Sequence, residues 1–179
     1  MVNLIYSYGL RGIINMEECN LPEKIDIKDV NNSSIEKAYQ IYLKELGNND
    51  ELFFKGLPVK VTKTLDYNLR QQTFEHIISR DMKARLYDLN RMDKIPWIKH
   101  VLCCCEKSNC KNYSFINDRG KEYCIWCKKE NYLIILELRI DQKTKRPFYY
   151  LKTAYPIIYK DKLKQMYKKE QKQNENGKN

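Results

Sequence analysis

The chain contains no apolar run approaching the roughly 18 residues that a membrane-spanning helix needs, so no span and no membrane partner are expected. Its start, Met1 to Tyr8, has neither a basic stretch nor a long apolar one, and no secretory leader is expected there. Histidine is scarce: His76 and His100 are the only two. No internal repeat is visible, which argues against a solenoid or array. The cysteines number seven, which cannot all pair within one chain. With no leader, they imply a reduced, cytoplasmic setting in which they are thiols or metal ligands, not a disulfide framework.

What is present is a basic, tyrosine-rich, foldable chain. At 179 residues it suffices for one packed domain with extensions, and its 42% apolar content excludes a largely disordered polymer. Lys and Arg outnumber Asp and Glu by 33 to 23, giving a net charge of +10. That excess favours an anionic partner, most often nucleic acid, although a general lysine bias would produce the same balance. Tyrosine, with 14 copies, suits base stacking, proton donation or plain packing.

Periodicity gives an α+β order. Ser33 with Glu36 fits a capping box, and Ile35, Ala38, Tyr39, Tyr42, Leu43 and Leu46 form one helical face ending at Gly47. Leu57, Val59 and Val61 alternate as a strand. Thr73–Ile78 fits either a strand or a short helix. Asp88 suits the cap of a helix reaching Ile95, and Ile98–Leu102 adds one turn. Residues 113–116, 123–126, 132–140 and 148–159 read as consecutive strands joined by short turns, with Asn117-Asp118-Arg119-Gly120 the strongest turn signal. The expected division is an extension over 1–52 with a helix at 34–46, a domain over 53–159, and a basic tail over 160–179. The tail carries seven lysines against Asp161, Glu170 and Glu175 and reads as a frayed helix running into disorder.

RNA cleavage by the ribose 2′-hydroxyl needs a base for that proton, an acid for the 5′-oxygen, and cations at the phosphate. His76 has the right intrinsic pKa for proton transfer, and Arg80, Arg85 and Arg91 follow as phosphate ligands. A lone histidine among apolar residues is also a common packing residue. His100, after Trp97-Ile98-Lys99, is the weaker candidate. Thr153 and Tyr155 are two apart, so a strand puts both on one face.

Several segments together resemble the barnase, EndoU, colicin and RelE-like (BECR) nucleases borne by phages and plasmids. They are Phe54-Lys55-Gly56-Leu57-Pro58-Val59, Thr73-Phe74-Glu75-His76-Ile77, Arg85 with Asp88 and Arg91, and Ile95-Pro96-Trp97-Ile98. Tyr132-Leu133-Ile134-Ile135-Leu136-Glu137 and Tyr149-Tyr150-Leu151-Lys152-Thr153-Ala154-Tyr155 complete the set. The resemblance implies N-terminal helices packed on a small C-terminal antiparallel sheet. It implies a metal-independent endoribonuclease, a toxin or defence effector of a mobile element, that leaves a cyclic phosphate. It further implies His76 as acid or base, Arg85 or Arg91 on phosphate, Thr153 and Tyr155 facing the scissile group, and RNA and an inhibitor or antitoxin protein as partners.

Two other readings stay open. One is a basic nucleic-acid-binding protein that does not cleave. The other is a zinc-stabilised interaction module built on Cys105, Cys110, Cys124 and Cys127, whose spacings are compatible with a structural site. A regular strand through residues 123–126 would point Cys124 and Cys127 to opposite faces, which opposes it. Cys19 has no evident partner.

Overall fold

A computed structural model of the chain describes residues 20–48, 51–81, 84, 86–105, 112–116 and 122–176. The expectations that fall on residues 1–19, on Arg85, on Cys110 and on the turn at 117–120 lie outside this set.

The first helix, α1, spans Asn32–Tyr42 and continues as a π-helical turn over Leu43–Gly47. Its capping box lies upstream of the expected Ser33–Glu36 pair. The Asn31 side chain accepts from the Ser34 backbone N–H, and Ser34 Oγ accepts from the Asn31 N–H, both at 2.9 Å. Ile35, Ala38, Tyr39, Tyr42 and Leu46 are buried, as the 3.6-residue period requires. Gly47 is demanded by contact: a Cβ there would meet Leu43 Cδ2 at 2.9 Å and Tyr42 Cε1 at 3.0 Å. The helix is not an appendage to a separate domain. Its buried face shares one core with residues as distant as Phe74, Ile98, Ile134 and Leu151.

A hairpin of β1 (Phe53–Phe54) and β2 (Leu57–Lys60) follows, with Gly56 at φ +73° in its turn. Thr73–Ile78 resolves to a helix, α2 (Gln72–Ile78), followed by β3 (Ser79–Asp81) and β4 (Leu86–Tyr87), which pair with each other. Asp88 caps α3 (Leu89–Met92) by accepting from Asn90 N–H at 2.9 Å. That helix stops well short of Ile95. A second helix, α4 (Ile95–Cys105), replaces the expected single turn. The last strands are β5 (Asn112–Ile116), β6 (Glu122–Cys127), β7 (Tyr132–Ile140) and β8 (Pro147–Pro156).

The main sheet has the order β1-β2-β8-β7-β6-β5. The fold is α+β, as expected, and β5 to β8 form the antiparallel meander. The sheet is not wholly antiparallel, however. β2 runs parallel to β8 through Val59↔Tyr149 and Lys60↔Tyr150. Neighbouring residues in sequence could not announce that pairing, because the two strands lie almost ninety positions apart.

The tail departs from expectation in extent. Lys160–Asn176 is the expected helix, α5, and it runs longer and packs more closely than a frayed one. Met166 and Leu163 of α5 pack with Cys124, Trp126, Leu133 and Ile157 in a second, smaller cluster. Tyr167 meets Trp126 edge-on at 4.8 Å, and Lys128 pairs with Glu170 at 2.7 Å. The high lysine content hid a narrow apolar stripe sufficient for docking. The sheet thus has an inner face, on the main core, and an outer face that carries the α5 cluster.

Candidate active site

The local feature that shapes the site is a β-bulge. Leu136 pairs with Leu151, but the next residue of β7, Ile135, pairs with Thr153, so Lys152 is an extra residue in β8. The bulge explains why Leu151 and Ala154, three apart, both face the inner core. It also lets Lys152 share a face with Thr153 and Tyr155; Lys152 donates to Glu122 Oε1, two strands away on β6.

Beside this strand lie α2 and α3, both in contact with β8. Thr73 of α2 is hydrogen-bonded to Tyr150 Oη at 3.3 Å, which ties the start of α2 to the strand. Glu75 is almost fully buried, and its carboxylate is held by Arg70 at 3.1 Å and by the Tyr87 hydroxyl at 2.8 Å. With that neighbour fixed, His76 on the next position is half-buried. Its pKa is lowered from the ordinary histidine value, first by burial and then by the positive charges of Arg91 and Lys152.

Arg91 of α3 is the hub. Its guanidinium carbon lies 4.9 Å from the centre of the Tyr155 ring, and Nη1 donates to the Ser79 carbonyl. Its Nε is 3.8 Å from Asp88 Oδ2, an oxygen that Arg80 Nε also meets at 2.6 Å. Burial lowers the Arg91 pKa, with Asp88 and Tyr155 opposing that effect. At neutral pH an arginine keeps its charge regardless. The Tyr155 hydroxyl is pushed up by burial and by the nearby Cys124 and Glu122, while Arg91 pulls it down. It therefore holds its proton at neutral pH.

Arg91 is the link between these groups: its guanidinium covers the Tyr155 ring, and its charge, with that of Lys152, acts on the half-buried His76. His76, Arg91 and Tyr155 were legible as candidates from the sequence. Thr153 shares the outer face with Tyr155, since their partners Ile135 and Leu133 alternate along β7. It is buried, at 9% exposure, and so poorly placed to meet a phosphate. Arg85 lies outside the described residues. Arg80 reaches Asp88 and sits beside Arg91, not beside His76. His100 lies on α4, which packs against α1, β1, β5 and β6. Lys152 and its holder Glu122 were missed, because alternation back from Thr153 and Tyr155 puts Lys152 on the opposite face, and only the bulge lets all three share one. No signal in one sequence marks a bulge at a lysine.

Of the alternative zinc set, only Cys124 and Cys127 have described side chains, and they lie on opposite faces of the sheet. β6 is regular, so Cys124 belongs to the outer cluster and Cys127 to the inner one. Cys110 lies outside the described residues. Among the described residues, no group of three or more His, Cys, Asp or Glu is placed to hold a metal ion. No helix among them is long and apolar enough to cross a membrane. The chain matches no protein-family model, no curated protein and no solved structure.

Proposed function

We propose that the chain is an endoribonuclease that cleaves RNA by attack of a ribose 2′-hydroxyl on the adjacent phosphate. The observation that carries this reading is Arg91, which covers the Tyr155 ring at 4.9 Å and, with Lys152, acts electrostatically on the half-buried His76. In the proposed step His76 takes the 2′-hydroxyl proton as the O2′–P bond forms. Arg91 and Lys152 stabilise the charge that builds on the non-bridging oxygens. The P–O5′ bond breaks, and Tyr155 gives its proton to the departing 5′-oxygen. The products are a 2′,3′-cyclic phosphate and a 5′-hydroxyl. Solvent then returns a proton to Tyr155 and removes one from His76, so the cycle closes without net charge transfer.

The basic composition supports an RNA partner, and the resemblance to BECR nucleases supports a toxin or defence effector of a mobile element, restrained by an inhibitor protein. The experiment is incubation of purified protein with single-stranded RNA in EDTA, followed by end-group analysis. Cyclic-phosphate ends from the parent and none from His76→Ala are expected. Binding without cleavage would replace this reading with that of a nucleic-acid-binding protein. Growth arrest on induced expression of the parent, absent for His76→Ala, tests the toxin role separately.

A further inference from the structure

The outer face of the sheet beyond the site is built from cross-strand rows. Arg139 pairs with Phe148. Glu122, Glu137 and Tyr150 form the next row across three strands. Along β8 this sets Phe148, Tyr150, the bulged Lys152 and finally Tyr155 on one line. Each of the three rings carries a cation from a different element. Lys60 of β2 lies 4.7 Å from the Phe148 centre, Arg139 of β7 lies 3.9 Å from that of Tyr150, and Arg91 of α3 covers Tyr155.

The Arg139–Tyr150 pair is the most developed of these. At 3.9 Å the guanidinium rests directly on the ring, and Glu137 holds it there through a 3.0 Å bond to Nη2. The Arg139 side chain keeps 44% exposure, so the arginine is fixed on its ring and still open to solvent. A fixed guanidinium plane and an aromatic ring are both surfaces on which a nucleobase stacks.

Away from the site, over Phe148 and Tyr150, each cation of this strip is matched by a carboxylate: Lys60 by Asp141 and Arg139 by Glu137. This part of the strip is therefore close to neutral. It is suited to the faces of bases rather than to a phosphate backbone as such.

Spacing adds a further constraint. Phe148 and Tyr150 are two residues apart on a strand, or roughly 6.6 Å. That is about twice the ~3.4 Å rise of a stacked nucleic-acid strand. Bases seated one per platform must be unstacked from each other, a state that single-stranded RNA adopts and a duplex does not.

We propose that Phe148 and Arg139-on-Tyr150 form a base-stacking track that seats unpaired nucleotides beside the His76 site. The proposal rests on the reading of RNA as substrate and adds that the substrate is single-stranded and held by its bases on one side of the cut. Phosphate attraction then comes from elsewhere, chiefly the exposed lysines of α5.

The test is fluorescence anisotropy with a labelled pentaribonucleotide, using His76→Ala so that nothing is cut. The arms are the intact strand, the same strand with one abasic position, and the strand annealed to its complement. Arg139→Lys keeps the charge and loses the plane, and Arg139→Ala loses both; because the residue is exposed, both variants should fold. About a tenfold loss of affinity is expected for each, within the range of one stacked base. The abasic strand should bind the parent about tenfold more weakly and show little further loss with Arg139→Lys. The slope of log affinity against log salt should stay the same across the variants. Parent-like binding by Arg139→Lys overturns the track, as does equal binding of abasic or duplex RNA, or no RNA binding at all. Cleavage by the wild-type chain is scored separately. A protein that cuts RNA but ignores Arg139→Lys loses the track and keeps the nuclease reading. One that needs Arg139 to bind but never cuts does the reverse.

Discussion

The two faces of the central sheet are made from alternate residues of the same strands, yet they are put to opposite use. The inner face is filled. Ile125, Cys127, Tyr132, Ile134, Leu136, Leu151 and Ala154 are buried against α1, α2 and α4 in one continuous core. Among the described residues, the apolar filling of the outer face is where α5 docks, over Cys124, Trp126 and Leu133. Beyond that it carries Glu137, Arg139, Tyr150 and Lys152, each at least partly accessible. Stability is thus concentrated on one side, and chemistry is left to the border of the other. Lys152 continues the outer alternation of Phe148 and Tyr150, and the bulge beside it brings Thr153 and Tyr155 to the same face.

The sharpest way to break this comparison is at His76. His76→Ala should lower RNA cleavage by ~10² to 10⁴, the usual cost of losing a general base, with the melting transition nearly unchanged. A folded variant that cleaves within a few-fold of the parent would falsify the assignment.

A matched pair of truncations compares the faces directly. Phe74 is fully buried between Tyr39 at 4.8 Å and Tyr42 at 5.3 Å, and Phe74→Ala should cost ~3 to 5 kcal/mol in denaturant unfolding. Met166→Ala on α5 should cost about 2 kcal/mol, because the smaller outer cluster can relax around the gap. Equal costs would mean that α5 is as integral to the core as α2.

Tyr155→Phe keeps the ring under Arg91 and removes only the hydroxyl. Turnover should fall about tenfold or more with RNA affinity little changed, since a proton given in the transition state affects rate rather than binding. Parallel losses in both would make Tyr155 a binding residue.

His76 also gives a pH prediction. Its folded-state pKa is depressed, by burial first and by Arg91 and Lys152 after it. Neutral His76 therefore contributes stability that is present above the ordinary histidine value of ~6.5 and lost as pH falls through the lower folded value. The acid limb of kcat/KM should lie below ~6.5 for the same reason. Lys152→Met should raise the His76 pKa, read by proton NMR in a His100→Gln background. An unmoved titration would show that Lys152 does not act on the ring.

The smallest expected change concerns α5. Replacing exposed Lys162, Lys164 and Lys168 with Gln leaves Met166 docked and should reduce the salt slope by roughly 0.7 for each single-strand phosphate that is no longer neutralised. An unchanged slope would show that the helix does not touch RNA.

Much of the architecture was legible from local pattern. The face of α1 follows from apolar residues at helical spacing, and the limits of β7 follow from an apolar run over Tyr132–Leu136 that passes into alternation before the next turn. Asp88 announced its helix because a cap acts within two residues. The docking of α5 was not legible. Its apolar side is Leu163, Met166 and Tyr167, too few to stand out among so many lysines until Trp126 is seen beneath them. The capping box was misplaced because Asn31 and Ser33 are both good caps, and Asn31 has Ser34 three residues on to complete its own box.

For the candidate site, the sequence by itself determined the inventory: one histidine in a run of arginines, a Thr and a Tyr two apart on a late strand, and a surplus of positive charge. Alternation along a strand is a local rule, so the shared face of Thr153 and Tyr155 followed from spacing alone. Only the tertiary structure decided which of these residues meet. It buried Thr153, set Arg91 over Tyr155, and used an extra residue in β8 to put Lys152 on the same face as Tyr155. Those outcomes depend on the register between β7 and β8 and on where α2 and α3 rest against the strand. Both are fixed by packing between segments distant in the chain, for which no short stretch of sequence carries a sign.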